Sequence, residues 1–592
     1  MSFISRHNMT TNSKRTRLSR DFLIAAVIFV FALLVRLIYF YQAGDNPTFL
    51  TPIIDSMIYH EAAHKLATED VFSGQFFWQS FFYPFILSRL YSLTGPSVVA
   101  AKLFNFVLGS VTAVLIYALG KKLFGRQTGI IAAVIFAFYG PCISFEAEVL
   151  STAWECLFSV LLVILLIKTA EPGAKNRLCL TAGFCAGLSI ITRATFVPFV
   201  VASGFWLIWK LWRNSLTRKS AVLKTLSFIG PAVTIPIMVG LLSYIEIDCF
   251  FPLPPSGSLN LYIGNNPNSE QTLMIRPGEQ WNNLIAMPQI NGIKDKSGQA
   301  HFFMQKFLDY VKNNPAGFLK GLLNKTSQFC CSRELPRNTD VYINRKYSSL
   351  MSVLIFKIGN FGFPFGLLLP LAITGLSLNF RRIPVVISLF LLLYPLSLVL
   401  VFVCDRYRLP TIPILCIPAA MAIQQICHAL KVRRFIKAAL LILVVSALAI
   451  AAGLDGPFVQ EKYDYEAEMY YSVAFEYYKK ADYIKAHEYV SKAIARRQDY
   501  ADAYALLGLI YSRTDRPDLA VEYLSKSLEI YPVPHIRRYL LAENLLRLNR
   551  PDEAKEQLTL ALAASEQKMD SHRSSAIRNL MAQIPEPNAP AK

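Results

Sequence analysis

Three short stretches place ionisable side chains beside long apolar segments, where a charge is costly unless it has a partner or a function. In the first, residues 52–59, Asp55 precedes a segment with helical spacing. Asp55 is therefore a candidate catalytic residue. The alternative is that it caps the first turn of a helix, a position that favours Asp. The sequence leaves both interpretations open.

The second stretch, residues 139–150, carries Glu146 and Glu148. We predict that they occupy a very short turn between two spans, on the same side of the membrane as Asp55, where they are candidate catalytic residues. The alternative is that both simply face water. Because hard cations prefer oxygen ligands, a divalent metal ion held by Asp55 and one of the two glutamates, Glu148 in particular, is a candidate cofactor.

The third stretch carries Arg406 and Arg408 at the outer end of a predicted span. Cations are unusual there, because Lys and Arg favour the cytoplasmic side. The fork of a guanidinium group matches a phosphate, so both arginines are candidate phosphate contacts, with an ion pair to Asp405 as the alternative. Lys102 is a third candidate for the phosphate. It and Arg36 lie near the outer ends of their own spans, where the alternative is that they snorkel.

A polar loop segment, residues 254–267, is rich in Gly, Asn and Pro. These residues build turns, but the side chains of Tyr262, Asn265 and Asn266 would also suit the hydroxyl groups of a sugar. Tyr262, Asn265 and Asn266 are therefore candidate substrate contacts, with turn formation as the alternative. Tyr59, in the stretch that carries Asp55, is a further candidate substrate contact.

The composition shows what must position these side chains. The chain has 592 residues, of which 54% are hydrophobic and only 17% are charged, and its mean hydropathy is +0.37. Soluble domains contain about 25% charged residues, so much of this surface is expected to face lipid. The net charge of +20 is concentrated in short loops beside apolar segments, which favours a membrane protein over a nucleic-acid-binding one. The ten cysteines show neither a disulfide framework nor a metal-binding spacing.

We predict an all-α membrane protein of about eleven transmembrane helices, because a span needs about 20 apolar residues. With a cytoplasmic N-terminus, the basic loops all fall on the cytoplasmic side, as the positive-inside rule requires. The predicted spans are 22–42, 97–119, 128–143, 150–168, 178–192, 194–210, 225–245, 350–376, 384–403, 410–428 and 435–453.

The C-terminal part carries a repeat. Ala486, Ala520 and Ala554 recur every 34 residues, which is the period of the tetratricopeptide repeat. Small residues are needed where the two antiparallel helices of each unit cross, so we predict an α-solenoid of about three repeats. The alternative is a generic amphipathic helical tail.

These patterns divide the chain. The predicted parts are, in order, the basic cytoplasmic N-terminus 1–21, the membrane domain 22–453 with a mixed extracytoplasmic loop domain from loops of about 43–96 and 246–349, the linker 454–466, the repeats 467–569 and a flexible tail 570–592. An odd number of spans places the repeats outside, together with both loops.

Taken together, the motifs resemble a known group of enzymes. Asp55 with Tyr59, and the segments 145–150, 262–267 and 406–410, resemble bacterial GT-C glycosyltransferases. More narrowly, they are similar to the protein O-mannosyltransferase-like and aminoarabinose-transferase-like group, in a subset with C-terminal tetratricopeptide repeats. The resemblance runs from about residue 20 to the end of the chain. It departs from the protein O-mannosyltransferases after Asp55, where Ser56 takes the place of their usual Glu.

The resemblance implies an inverting transfer of one sugar from a polyprenyl-phosphate carrier to a glycan, lipid or protein acceptor outside the cytoplasm of a bacterial cell, at the inner membrane. It implies that Asp55 acts as base or metal ligand and that the turn with Glu146 and Glu148 shapes the site. The predicted partners are the lipid-linked donor, the membrane, and an acceptor or protein bound by the repeats. The alternatives are a transporter or flippase for a lipid-linked glycan, and a membrane scaffold that presents the repeats.

Overall fold

The computed structural model describes residues 2–72, 76–214, 217–532, 535–567 and 571–584, without the side chains of residues 2–19, 567 and 571. Most side chains of the predicted basic N-terminus, and the end of the predicted tail, lie outside what is described. The described chain is mostly helical and contains one antiparallel hairpin, Phe356–Ile358 with Phe361–Phe363. It divides into two compact units.

The first unit contains the residues up to Asn46, Asp55–Glu270 and Met304–Lys462.

The α-helices between residues 2 and 454, whichever unit they belong to, are Ser2–Gln42, Asp55–Thr68, Phe82–Thr94, Val98–Phe124, Arg126–Ala137, Gly140–Glu146, Thr152–Thr169, Asn176–Thr192, Val197–Asn214, Arg218–Ile247, Ser256–Gly264, Ser269–Leu273, Glu279–Ile290, Lys296–Asn313, Pro315–Cys330, Ser349–Leu354, Phe365–Asn379, Val385–Leu400, Asp405–Arg408, Ile412–Lys431 and Phe435–Leu454.

Among the described residues, seven helices are long and apolar enough to cross a membrane. The pair Arg126–Ala137 and Gly140–Glu146, bent by 56°, makes an eighth if it is one span. Asn176–Thr192 and Val385–Leu400 are apolar but shorter. The chain is a mostly helical, multi-pass membrane protein, while the predicted count of about eleven spans is not confirmed.

The largest local difference from the prediction lies in the span predicted over 350–376. The hairpin interrupts this segment, and an apolar helix of 15 residues, Phe365–Asn379, begins only after it. Gly359 adopts φ +56° in the hairpin turn, a left-handed conformation that Gly enters readily. A hydrophobicity count does not register this turn, because the strands on either side of it are themselves apolar.

The second unit contains Pro47–Ile54, Gln271–Phe303 and the described residues from Tyr463 onward. The prediction assigned both loop segments to the membrane domain, whereas they group with the repeats. The helices of the repeat region are Tyr465–Lys479, Tyr483–Arg496, Ala501–Arg513, Pro517–Ile530, His535–Arg547, Pro551–Gln567 and Ser571–Ala582.

The alanines that recur every 34 residues are fully buried in this unit. Ala486 lies in the core of the first repeats and Ala554 in the core of the last ones, as the tetratricopeptide prediction requires. The helix Ser571–Ala582 lies within the tail that was predicted to be flexible, and Ile577 buries it against the last core.

Candidate active site

Asp55 is the first residue of the helix Asp55–Thr68, and it is paired with Arg406. Its Oδ2 accepts a hydrogen bond from Nη1 of Arg406 at 2.8 Å, and its Oδ1 accepts one from Nε2 of Gln79 at 3.1 Å. The Asp55 side chain is 18% exposed and the Arg406 side chain 12%. The structure thus joins two residues that the sequence predicted separately, one as a base and one as a phosphate contact, and leaves both accessible.

A second guanidinium group, which sequence reasoning missed, lies at the same place. Arg193 is 4.0 Å from the ring centroid of Tyr407, and Arg406 is 5.3 Å from the same ring. Nη1 of Arg193 lies 2.5 Å from Oε2 of the buried Glu155, and the Arg193 side chain is 13% exposed. The sequence held a signal for this residue, because Arg193 falls between two predicted spans on the same side as Arg406.

Ser56 connects Asp55 to the second acidic stretch. Its hydroxyl donates a hydrogen bond to Oε2 of Glu148 at 3.4 Å. Burial raises the pKa of the Glu148 carboxyl, while the Lys102 ammonium and the Ser56 hydroxyl oppose this shift. Lys102 is itself buried. Glu148 and Lys102 therefore lie near each other. Ser56, which follows Asp55 in the chain, connects Glu148 to the site around Asp55.

Tyr59 lies one helical turn after Asp55. Its ring is buried and packs edge to face on Tyr83, with the centroids 5.5 Å apart. Burial raises the pKa of the Tyr59 hydroxyl. The positive charge of Arg406 lowers this pKa, and the negative charge of Asp55 raises it further. Both charges of the pair therefore act on this hydroxyl, and Tyr59 belongs to the same cluster.

Glu146 does not face this cluster, contrary to the prediction. It receives two hydrogen bonds from Arg36, at 2.5 Å from Nε and 3.0 Å from Nη2, and both side chains are buried. Gly109 lies directly against the carboxylate, where a Cβ atom would collide with it. Such a two-point contact fixes geometry as well as charge. Glu146 therefore holds its own short helix to the helix Ser2–Gln42, and Arg36 is paired rather than snorkelling.

Arg408 is also not placed to bind a phosphate. Its Nη2 lies 2.6 Å from Oε2 of Glu334, and the two side chains are only 2% and 1% exposed. Arg408 donates further hydrogen bonds to backbone carbonyls in the segment 329–333, and its guanidinium stacks 3.6 Å from the ring centroid of Phe365. Asp405, the partner suggested as the alternative, instead accepts a hydrogen bond from the next backbone N–H. Arg408 is a structural residue.

The loop amides that were predicted to contact substrate are used by the protein itself. Nδ2 of Asn265 donates to the carbonyl of Leu400 at 2.8 Å, and its Oδ1 accepts from Nζ of Lys325 at 2.6 Å. Oδ1 of Asn266 accepts from the backbone N–H two residues on, at 2.8 Å. Asn266 thus forms a turn, as the alternative interpretation predicted, whereas Asn265 joins this loop to Leu400 and Lys325. Tyr262 is half-buried, and its substrate contact stays a prediction.

The candidate metal ligands, Asp55 and Glu148, are not joined by a third one. In the described part of the chain, no group of three or more His, Cys, Asp or Glu side chains could hold a metal ion. Asp55 is engaged by Arg406 and Gln79, and Glu148 lies near the Lys102 ammonium. Cationic side chains thus already neutralise both carboxylates, and the arrangement does not fit a dedicated divalent-ion site.

Two parts of the chain match known protein families. Residues 79–239 match the family described as dolichyl-phosphate-mannose-protein mannosyltransferase, and residues 501–534 match a tetratricopeptide repeat. The first match contains Glu148 and Arg193 but neither Asp55 nor Arg406. Together the matches confirm the resemblance to protein O-mannosyltransferase-like membrane glycosyltransferases and the presence of C-terminal tetratricopeptide repeats. No curated protein matches the chain.

Solved structures show distant likenesses. The oligosaccharyltransferase of Archaeoglobus fulgidus is 14% identical, with a TM-score of 0.40, over 74% of this chain and 56% of its own. ArnT from Cupriavidus metallidurans, solved with undecaprenyl phosphate, is 14% identical, with a TM-score of 0.32, over 69% of this chain and 79% of its own. MamA is 22% identical, with a TM-score of 0.17, over 27% of this chain and 94% of its own.

Proposed function

We propose that the chain is an inverting glycosyltransferase that moves one sugar from a polyprenyl-phosphate carrier to an acceptor hydroxyl at the extracytoplasmic face of the membrane. One observation carries this proposal. Asp55, Arg406 and Arg193 bring one carboxylate and two guanidinium groups to one place, and all three side chains are partly exposed. A carboxylate supplies a base, and guanidinium groups suit a phosphate.

The chemistry needs little more than these groups. A glycosyl phosphate carries a good leaving group, so no general acid is required as it is in glycosidases. In the proposed step, the acceptor oxygen attacks the anomeric carbon from the face opposite the phosphate. The bond from that carbon to the phosphate oxygen breaks, its electron pair leaves with the polyprenyl phosphate, and the acceptor proton passes to Asp55. Arg406 and Arg193 stabilise the departing phosphate.

The pairing of Asp55 with Arg406 links donor binding to the base, because Oδ2 of Asp55 accepts a hydrogen bond from Nη1 of Arg406. In this proposal Arg406 turns from Asp55 to the donor phosphate when the donor binds. Oδ2 of Asp55 is then free to accept a hydrogen bond from the acceptor hydroxyl.

The proposed location is the bacterial inner membrane, with the site, both outer loops and the repeats on the extracytoplasmic side. The support is the distribution of basic residues among the loops. Fusing to the C-terminus a fluorescent reporter that works only in the cytoplasm, and separately an enzyme active only outside, tests the side directly. We expect activity only from the external enzyme, and a fluorescent fusion would contradict the placement.

The test of the activity itself uses purified full-length protein and a panel of polyprenyl-phosphate sugars, with cell-envelope extract as the source of acceptor. We expect release of polyprenyl phosphate from one donor class, and a product with inverted anomeric configuration. Asp55→Asn, prepared in parallel, should release polyprenyl phosphate at least about a hundredfold more slowly, which controls for contaminating enzymes. No release from any donor by well-folded protein would contradict the proposal, and a retained configuration would contradict its inverting step.

A further inference from the structure

Residues 274–278 of the long loop are non-helical and belong to the second unit, together with the repeats. Within this unit, Nε of Arg276 lies 3.1 Å from Oε2 of Glu468, and both side chains are buried. The Arg276 guanidinium lies 4.3 Å from the ring centroid of Tyr465 and 4.8 Å from that of Tyr463. We call Tyr463, Tyr465 and Glu468 the arginine pocket. A buried carboxylate needs a cation, and aromatic faces attract one.

Two residues further on, Gly278 lies against the second repeat. Its φ is +129°, and a Cβ atom there would lie 2.8 Å from Oδ2 of Asp502, so a larger residue would force a shift. The Asp502 carboxylate also accepts a hydrogen bond from the backbone of Glu279 and pairs with Arg537. The loop therefore meets the repeats at two successive points.

These two contacts use one repeat position twice. Glu468 and Asp502 are 34 residues apart, so they occupy the same place in consecutive repeats, where the third repeat has Ile536. Tetratricopeptide arrays bind extended peptides through such side chains on successive repeats. In this protein a non-helical segment of the same chain lies at that position.

We propose that this face of the first two repeats is a recognition site for an arginine followed by a Pro-Gly turn, and that residues 274–281 are its resident ligand. The arginine side chain fills the arginine pocket, and the glycine lets the backbone approach Asp502. A partner protein that presents the same chemistry has to displace the loop before it can bind. This inference does not depend on the sugar-transfer reaction.

The first test is hydrogen–deuterium exchange on the full-length protein. Arg276→Ala empties the arginine pocket without changing any repeat residue, and it should speed exchange in residues 272–290 by about tenfold or more, because local opening becomes easier. Exchange in Tyr483–Arg496 and Pro517–Ile530, which contain neither Glu468 nor Asp502, should stay unchanged. Glu468→Gln should reproduce the effect from the other side. The matched control, Glu488→Gln, removes an exposed carboxylate paired with Lys492 and should alter neither region.

The second test uses a labelled peptide with the sequence of residues 274–281. It should bind the Arg276→Ala protein about tenfold tighter than the wild type, because the wild-type loop competes for the site. A peptide with alanine in place of its arginine should not bind. Unchanged exchange in Arg276→Ala, or peptide binding that ignores the arginine, would overturn the inference. Arg276→Ala changes no residue of the repeats, and the peptide restores a cation beside Glu468, so peptide binding to this variant decides the question even if Glu468→Gln disturbs the repeats.

Discussion

Arg406 and Arg408 lie two residues apart in one short helix, yet they have opposite surroundings. Arg406 pairs with Asp55 at 2.8 Å and Arg408 pairs with Glu334 at 2.6 Å, so the two ion pairs are similar in length. They differ in access, because the first pair is partly exposed and the second is fully buried. Residue type and pairing are therefore the same for both arginines, and only exposure makes Arg406, and not Arg408, accessible to a ligand.

Removal of the buried cation, Arg408, should have the largest effect. Arg408→Met leaves Glu334 buried without its partner, which costs about 3–5 kcal/mol of stability. We expect little folded protein, measured as the yield of monodisperse protein in detergent and as the midpoint of thermal unfolding. Arg345→Met, an exposed arginine, is the matched control and should behave as wild type. A normal yield for Arg408→Met would show that the pair is not structural.

Removing the exposed carboxylate should spare the fold and stop the reaction. Asp55→Asn keeps the shape of the side chain but removes its basicity, and general-base catalysis contributes about 10²–10⁴-fold. We expect sugar transfer to fall by that factor with an unchanged melting midpoint. Asp45→Asn, an exposed carboxylate nearby, should retain full activity. A rate for Asp55→Asn above about a tenth of wild type would reduce Asp55 to a helix cap.

The exposed arginines should affect one substrate more than the other. Losing a charge-assisted hydrogen bond costs about 1.5–3 kcal/mol, so Arg406→Ala should raise the KM for the donor roughly tenfold to a hundredfold. Arg193→Lys, which keeps a cation beside the buried Glu155 but removes the guanidinium fork, should raise the same KM. The KM for the acceptor should change little, because the proposed contacts are with the donor phosphate. Steady-state kinetics with each substrate varied in turn gives both values. Equal effects on donor and acceptor would point to a structural role for these arginines.

The smallest effect concerns Lys325, which joins Asn265 to the carbonyls of Gly264 and Val401. Burial lowers the pKa of Lys325 to about 8 in the folded protein, against about 10.4 in an unfolded chain. Between these values the unfolded state binds more protons, so the wild type gains stability as pH rises, by roughly 1 kcal/mol per pH unit. Lys325→Met lacks this pH-dependent gain in stability.

The measurement is the difference in thermal midpoint between wild type and Lys325→Met, followed from pH 7 to about pH 10. We expect it to be constant below about pH 7 and to shift in favour of the wild type above about pH 8, through the window set by the lowered pKa. A difference that stays flat through this window would mean that Lys325 titrates normally.

The sequence predicted features that rest on local periodicity. The repeats follow from alanines at a fixed spacing, and most of the apolar helices follow from their length. The pairing of Asp55 with Arg406 could not be read in this way, because the two residues are 351 positions apart. The same sequence signal marked Arg406 and Arg408, and only the packing of Phe365 and Glu334 around Arg408 distinguishes them.

The boundaries of the two units also depend on contacts between residues far apart in the sequence, so they could not be predicted from it. The loop segment 271–303 lies between apolar helices in the sequence, so it was assigned to the membrane domain. Its grouping with the repeats depends on the contacts of Arg276 and Gly278 with Glu468 and Asp502. These are contacts between residues 192 and 224 positions apart, which neither composition nor hydropathy encodes.

The division of the chain has a consequence for biosynthesis. Pro47–Ile54 belong to a unit whose remaining C-terminal part begins at Tyr463. At about 5–20 residues per second, the ribosome needs roughly 20–80 s to reach Tyr463 after completing residue 54. During this delay the arginine pocket does not yet exist, and Arg276 emerges into a chain that cannot receive it. The second unit is therefore the last to assemble, and a chain that ends before the repeats lacks the partners of segments 47–54 and 271–303.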